Sequence, residues 1–237
     1  MASLSRQMNA FFAVYLPYLC QTEFPQTYTV FAGGDDFFLI GPWGQSIRLA
    51  LRMRERFAAY VAENPDIHFS TGMIMSKPGI PIRQMARQAE SALERAKHHR
   101  PTAHAKPPKN RVTLWNTVVS WDELGTLIDR SDRLGALQEQ YRLSRGYVYG
   151  LLSLVDMAAE EHRGGRPDAA LWHSRYSYQT YRAVERAIDN KSSQAETLQK
   201  RKSAFAVLSS EIYEGLHQYR ERYRIPLFYH LYQQRDA

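Results

Sequence analysis

The chain has 237 residues, of which 44% are hydrophobic and 23% charged, close to the averages of folded globular domains; this excludes a disordered or fibrous chain and leaves room for one large or two modest domains. Its net charge of +7 favours anionic partners such as nucleotides or nucleic acid through long-range steering, without identifying one. The single cysteine, Cys20, excludes an internal disulfide and suits a reducing, cytoplasmic compartment.

The longest apolar run, FFAVYLPYLC, is broken by Pro17 and falls short of the roughly 18 residues that argue a membrane span, so no membrane partner is expected. Residues 3–19 read as a helix, because Leu4, Met8, Phe11, Phe12, Tyr15 and Leu19 recur at three- and four-residue steps. This helix starts at the first residues of the chain, which points to a missing upstream segment. Residues 28–32 (YTVFA) and 37–41 (FFLIG) are rich in aromatic and β-branched residues and flank GGDD, the composition of a tight β-hairpin.

Beyond Pro42 and Gly44, Ile47, Ala50, Leu51, Phe57, Ala58 and Val61 repeat with helical period up to Asn64-Pro65. Residues 68–76 (HFSTGMIMS) read as a strand, KPGIP as a turn, and a second amphipathic helix runs from about Arg83 to His98 with Met85, Ala89, Leu93 and Ala96 inward. After a Pro- and Lys-rich loop at 102–110, residues 111–119 (RVTLWNTVV) return as a strand. The order predicts an α+β fold: a ferredoxin-like palm over residues 1–119 that lacks its first strand, since one more strand before Ser3 completes the sheet.

From Ser120 the texture changes. Ser120 and Glu123 have the spacing of a capping box, and the remaining residues, 120–237, predict an all-α bundle. Tyr147, Leu151, Leu154, Val155 and Ala158 form one stripe, Leu171, Tyr178, Tyr181, Val184 and Ile188 a second, and Phe205, Leu208, Ile212 and Leu216 a third. Basic and aromatic residues interleave in this part; Tyr178 and Tyr181 read as core, whereas Arg220, Arg222 and Arg224 are candidates for contact with nucleic acid or another subunit.

The chemistry concentrates at GGDD. Asp35 and Asp36 are adjacent carboxylates that repel one another unless a cation sits beside them. Gly33 and Gly34 supply backbone freedom, including positive φ, and leave room for a phosphate chain to approach. Hard oxygen ligands of this type suit Mg²⁺ or Mn²⁺ bridging triphosphate oxygens. The same four letters also compose an ordinary exposed turn. No GxxxxGK[ST] occurs, so triphosphate binding rests on the hairpin. His98, His99 and His104 cluster without the spacing of a zinc site.

The string YTVFAGGDDFFLIGPW, followed by a helix, HFSTGMIMSKPGIPI, MARQAESALERAKHH and KNRVTLW, resembles the large signature subunit of type III-A CRISPR effector complexes, the Csm complexes. The resemblance covers essentially the whole chain, as the second palm domain and the C-terminal helical domain of that subunit. It implies an antiviral cyclic oligoadenylate synthase that joins ATP molecules at the palm. Asp35 and Asp36 then carry the metals, Gly33 and Gly34 lie along the triphosphate, and Lys97, at the end of AESALERAK, neutralises phosphate charge. It also implies as partners other effector subunits, guide RNA and target RNA, and the upstream palm and nuclease parts of the same subunit. The family's nuclease domain, first palm and opening strand of the second palm, with its own metal-binding aspartate, do not occur here, so the chain alone is expected to be inactive. The letters resemble the GGDEF domain of diguanylate cyclases too, through Asp35, Asp36 and Phe37. Against that stand Asp36 where glutamate is usual and the basic helical tail. A third reading is a structural, nucleic-acid-contacting module with a latent GGDD.

Overall fold

The computed structural model describes residues 2–99, 109–188 and 193–236. The first apolar run folds without a break as α1 (Ala2–Ala10), a π turn (Phe11–Tyr15) and α2 (Leu16–Glu23). Pro17 has no N–H to give the Ala13 carbonyl and its ring crowds that oxygen; widening the preceding turn is one way a helix absorbs such a residue. The chain divides into two units, Met1–Asp122 and Glu123–Ala237.

In the first unit, β1 (Tyr28–Gly33) and β2 (Asp36–Ile40) pair antiparallel in a register that runs from Tyr28 opposite Ile40 to Gly33 opposite Asp36, with a bulge between Thr29 and Phe31. Helix α3 (Trp43–Tyr60) follows directly after Pro42. The segment expected as one strand over 68–76 contributes only β3 (Thr71–Gly72), which pairs parallel with β4 (Arg111–Leu114). Helix α4 (Ile82–His98) lies between them in sequence.

Residues 111–119, expected as a single strand, are a hairpin: β4 turns back at Trp115 and Asn116 into β5 (Thr117–Ser120). Both turn residues are left-handed, φ 47° and 63°, the geometry of a type I′ turn. Trp115 is not a turn-forming residue type, so the composition concealed it. Among the described residues the strands form two separate sheets, β1-β2 and β3-β4-β5. That is the outcome expected of a palm without its first strand, which in a βαββαβ sheet stands between the hairpin and the last strand.

Why β3 carries glycine follows from its position against α4. A Cβ on Gly72 would lie 2.2 Å from the Leu93 amide nitrogen and 2.5 Å from the Ala89 carbonyl oxygen, so only the smallest residue lets strand and helix backbones meet. Ala92 takes part in the same close contact, and both Ala92 and Ala96 are fully buried.

The core of the unit is a cluster of phenylalanine rings. Phe11, Phe12 and Phe57 are at most 1% exposed; Phe12 stacks on Phe57 with centroids 5.7 Å apart, and Phe69 meets Phe57 edge-on at 5.1 Å. Each such ring, removed from water, contributes about 2–3 kcal/mol. The Trp121 indole packs on Phe69 and donates to its carbonyl oxygen at 3.2 Å. The Ser70 hydroxyl accepts from the Asn110 and Arg111 amides, which anchors the start of β4.

The second unit is helical: α5 (Trp121–Gln140, which begins at the end of the first unit), α6 (Arg145–His162), a 3₁₀ turn (Pro167–Leu171), α7 (Trp172–Ala187), α8 (Gln194–Leu208), a π turn (Ser209–Tyr213), α9 (Glu214–Tyr219), a 3₁₀ turn (Arg220–Tyr223) and α10 (Arg224–Asp236). Ser144 caps α6 by accepting from the Tyr147 amide, and Ser193 caps α8. The expected stripe on α6 is buried throughout, as are Leu208, Ile212 and Leu216.

Helix α7 departs from expectation. Its buried residues are Trp172, Tyr176, Thr180 and Val184, whereas Tyr178 and Tyr181, read as core, are 67% and 47% exposed. The inward row repeats every four residues through a threonine, and a count of apolar positions skips it. Thr180 is buried at little cost because its hydroxyl shares a hydrogen bond with the Tyr147 hydroxyl at 2.9 Å, and Tyr176 donates to the Leu208 carbonyl at 2.8 Å.

Candidate metal and nucleotide site

The tip of the β1–β2 hairpin is a two-residue turn. Gly33 and Asp36 are the last paired residues, and Gly34 and Asp35 make the bend. Gly34 sits at φ +66°, a left-handed conformation that strains any residue with a Cβ, while Asp35 is not left-handed. Glycine at the first of the two central positions is the signature of a type II′ hairpin turn. Asp35 and Asp36 are both exposed, one in the bend and one on the strand, so their oxygens are open to solutes.

Two contacts with one helical segment hold this tip. The Gly34 N–H donates to Asn9 Oδ1 at 2.8 Å, and the Phe12 ring stacks on Phe37, centroids 5.5 Å apart and planes 18° from parallel. Asn9 escaped the sequence reading. A lone asparagine on a helix carries no periodic signal, and its partner lies 25 residues away.

Among the described residues no three His, Cys, Asp or Glu side chains group to hold a metal. A pair of carboxylates nevertheless fits Mg²⁺, which is commonly held through one or two carboxylates while water and substrate phosphates fill its other positions.

Lys97 lies in the last turn of α4, partly exposed, and its Nζ is 3.6 Å from Glu94 Oε1; its ion pair is with its own helix, not with the hairpin tip. His98 pairs with the same Glu94 at 3.1 Å, and His104 lies outside the described residues. Arg222 donates to Glu123 at 2.6 Å, and Arg224 pairs with Asp156, so both guanidinium charges are met within their own unit. Arg220 has no ion pair among the described residues and is held left-handed at φ 50°.

A cavity of about 610 Å³ in the helical unit is lined in part by His173, Ser177 and Tyr213. These three groups bond within the protein: His173 Nδ1 meets the Tyr213 hydroxyl at 2.9 Å, and Ser177 donates to the His173 carbonyl. Nearby, the Trp172 indole N–H donates to Glu161 at 2.6 Å and holds that carboxyl below its usual range, with His173 adding to the effect. This network ties α6, α7 and the π turn at Ser209–Tyr213 together.

Among the described residues no helix is long and apolar enough to cross a membrane. The family model described as Cas10/Cmr2, second palm domain, matches residues 1–106. The CRISPR system single-strand-specific deoxyribonuclease Cas10/Csm1 (subtype III-A) of Methanocaldococcus jannaschii is 31% identical over 137 residues, covering 52% of this chain and 17% of that protein. Its Enterococcus italicus counterpart is 30% identical over 159 residues, covering 65% and 20%. This chain therefore spans about a fifth of the length of those relatives.

Among solved structures, the Csm1-Csm4 cassette in complex with one ATP matches with a TM-score of 0.58 at 20% identity, covering 94% of this chain and 32% of that one. The same cassette in complex with cA3 matches with a TM-score of 0.57 at 20% identity, again covering 94% and 32%. At that identity the likeness shows the fold. A hairpin bearing two exposed carboxylates, a palm lacking one strand and a following helical unit thus coincide with the comparisons: the chain is similar to the large subunit of type III-A CRISPR complexes, and residues 1–106 carry the match to the second palm domain of Cas10/Cmr2.

Proposed function

We propose that the hairpin tip is the metal- and triphosphate-binding part of a cyclic oligoadenylate synthase within a cytoplasmic, RNA-guided type III-A effector complex. The observation that carries this reading is the two-residue turn, which leaves the sequence neighbours Asp35 and Asp36 both exposed at the end of a paired, helix-braced hairpin. Solved proteins of the same fold are described in complex with one ATP, with pppApA and with cA3, which supports a nucleoside triphosphate as the ligand.

In the reaction so assigned, the 3′-hydroxyl oxygen of one ATP bonds to the α-phosphorus of its neighbour, the bond to the β-phosphate oxygen breaks, pyrophosphate leaves and the hydroxyl proton passes to solvent. Asp35 and Asp36 hold Mg²⁺ or Mn²⁺, which when bound supplies positive charge against the triphosphate and the leaving pyrophosphate. Gly33 and Gly34 present a bare backbone along which the phosphate chain can lie. Lys97 offers a mobile cation, its link to Glu94 being a single exposed pair of the weak kind.

Two-metal nucleotidyl transfer ordinarily uses a further carboxylate, and the family's opening palm strand is the element that would bring it. The chain is accordingly one part of the catalytic unit, with the upstream palm as partner. Neighbouring effector subunits, guide RNA and target RNA complete the assembly, and the Arg220, Arg222 and Arg224 segment is assigned to such contacts, with Arg220 the member that has no ion pair among the described residues.

The test combines this chain with its upstream palm segment, ATP and Mn²⁺, and reads products by mass spectrometry. Cyclic oligoadenylate is expected, with loss on Asp35→Ala plus Asp36→Ala. A cyclic dinucleotide formed from GTP in preference to ATP would instead assign the site to diguanylate cyclase chemistry.

A further inference from the structure

The carboxylate pair sits on the least supported part of any hairpin, a two-residue bend, and yet its use requires a fixed relation between neighbouring side chains. The structure shows what supplies that fixity. Asn9 and Phe12 are three residues apart at the end of α1 and the start of the π turn, so they share a face of one helical segment. Asn9 reaches Gly34, one residue before the acidic pair. Phe12 stacks on Phe37, one residue after it. The four-residue stretch from Gly34 to Phe37 is therefore gripped at both ends by a single rigid element.

That element is itself well seated. The Tyr60 hydroxyl donates to the Gln7 carbonyl at 3.0 Å, and Phe11 packs against both Phe57 and Tyr60 of α3. Phe12 is fully buried and carries the packing, whereas Asn9 is exposed and reaches out to the bend. Its hydrogen bond is directional and falls on the left-handed glycine, whose conformation sets how Asp35 departs from the strand.

We propose that Asn9 is a positioning residue for the acidic pair: by accepting from the Gly34 amide it holds the bend in the one conformation that presents Asp35 and Asp36 together to a metal-bound triphosphate. The role rests on the reading of the tip as a metal and nucleotide site. Asn9 is not assigned to the substrate; it acts through the turn.

The experiment uses the isolated chain, labelled with ¹⁵N, in three forms: wild type, Asn9→Ala and Asn9→Asp, the last keeping an acceptor at the same reach. Amide hydrogen exchange at Gly34 is measured first, without ligand. Residue 9 is far from Gly34 in sequence, so the substitutions leave its intrinsic exchange rate unchanged and any difference reports the bond. Asn9→Ala is expected to speed Gly34 exchange by roughly fivefold or more, the loss of one typical hydrogen bond, while Asn9→Asp retains protection and core amides such as Phe57 remain slow in all three.

Mn²⁺ with ATP is then titrated into each form. Wild type is expected to bind several-fold more tightly than Asn9→Ala, whose thermal midpoint falls by no more than a few degrees. Equal Gly34 exchange in wild type and Asn9→Ala overturns the proposal, and so does faster exchange with unchanged Mn²⁺·ATP affinity. A wild type that does not bind Mn²⁺·ATP at all overturns the metal and nucleotide reading, and the positioning role with it; the exchange data then still show whether the bond exists.

Discussion

The Phe12 ring lies over Phe37 with planes 18° from parallel, so the residue that follows the acidic pair is fixed to the buried face of the first helix. Phe12 also touches Phe57 and Phe69, which places a single side chain at the junction of the hairpin, α3 and the approach to β3. Phe12→Ala is expected to lower the stability of the first unit by about 3–5 kcal/mol. Tyr28→Ala, at a site 67% exposed, is expected to change it by no more than about 0.5 kcal/mol. Urea unfolding followed by hydrogen exchange of β1 and α3 amides measures both.

Close backbone approach makes Gly72 the most sensitive glycine of the palm. With Leu93 N and Ala89 O standing 2.2 and 2.5 Å from an added Cβ, Gly72→Ala must push strand from helix and is expected to cost about 1–3 kcal/mol or more. Gly44, in the first turn of α3 with nothing within 4 Å of an added Cβ, provides the control. Gly44→Ala is expected to stabilise by about 0.5 kcal/mol or less, since the full propensity gain belongs to helix interiors. Thermal midpoints of the two variants should therefore move in opposite directions.

The register of α7 gives a third prediction. Tyr176 is 1% exposed and Tyr178 is 67% exposed. Tyr176→Ala is expected to cost about 3–5 kcal/mol, as for other large buried rings, and Tyr178→Ala about 0.5 kcal/mol or less. The reverse order would restore the reading in which Tyr178 faces the core.

His230 makes the second unit sensitive to acid. Burial holds its pKa below the ordinary value, with Asp132 pulling the other way, and its Nε2 meets the Gln138 and Gln234 carboxamides. A folded pKa below the unfolded one means that the unfolded chain takes up the proton first as pH falls. The contribution is thus present above the unfolded value of about 6.5 and is lost as pH drops from there through the lower folded value. Unfolding free energies measured between pH 7.5 and 5 should decline for wild type and decline less for His230→Gln.

Much of this was legible in the residues. GGDD between two β-branched, aromatic runs specified the hairpin because turn chemistry and strand propensity agree there. The helices at 43–60 and 82–98 followed from periodicity. The rest was hidden for physical reasons. Trp115 and Asn116 make a left-handed turn that no tryptophan advertises. Thr180 is buried because Tyr147 satisfies it, a partner 33 residues away. Asn9 acts on Gly34 through a tertiary bond that leaves no periodic trace, and the neutralisation of Arg222 by Glu123 likewise depends on helices meeting in space.

The most direct test of the account is a calorimetric titration of ATP into this chain with Mn²⁺ present, repeated without metal and on the Asp35→Ala, Asp36→Ala double variant. Both carboxylates are exposed, so the variant should fold with its stability altered by no more than about 0.5 kcal/mol. The account predicts metal-dependent binding to the wild type, weakened at least tenfold in the variant. ATP binding of equal strength in both forms, or unaltered by removal of the metal, would contradict it.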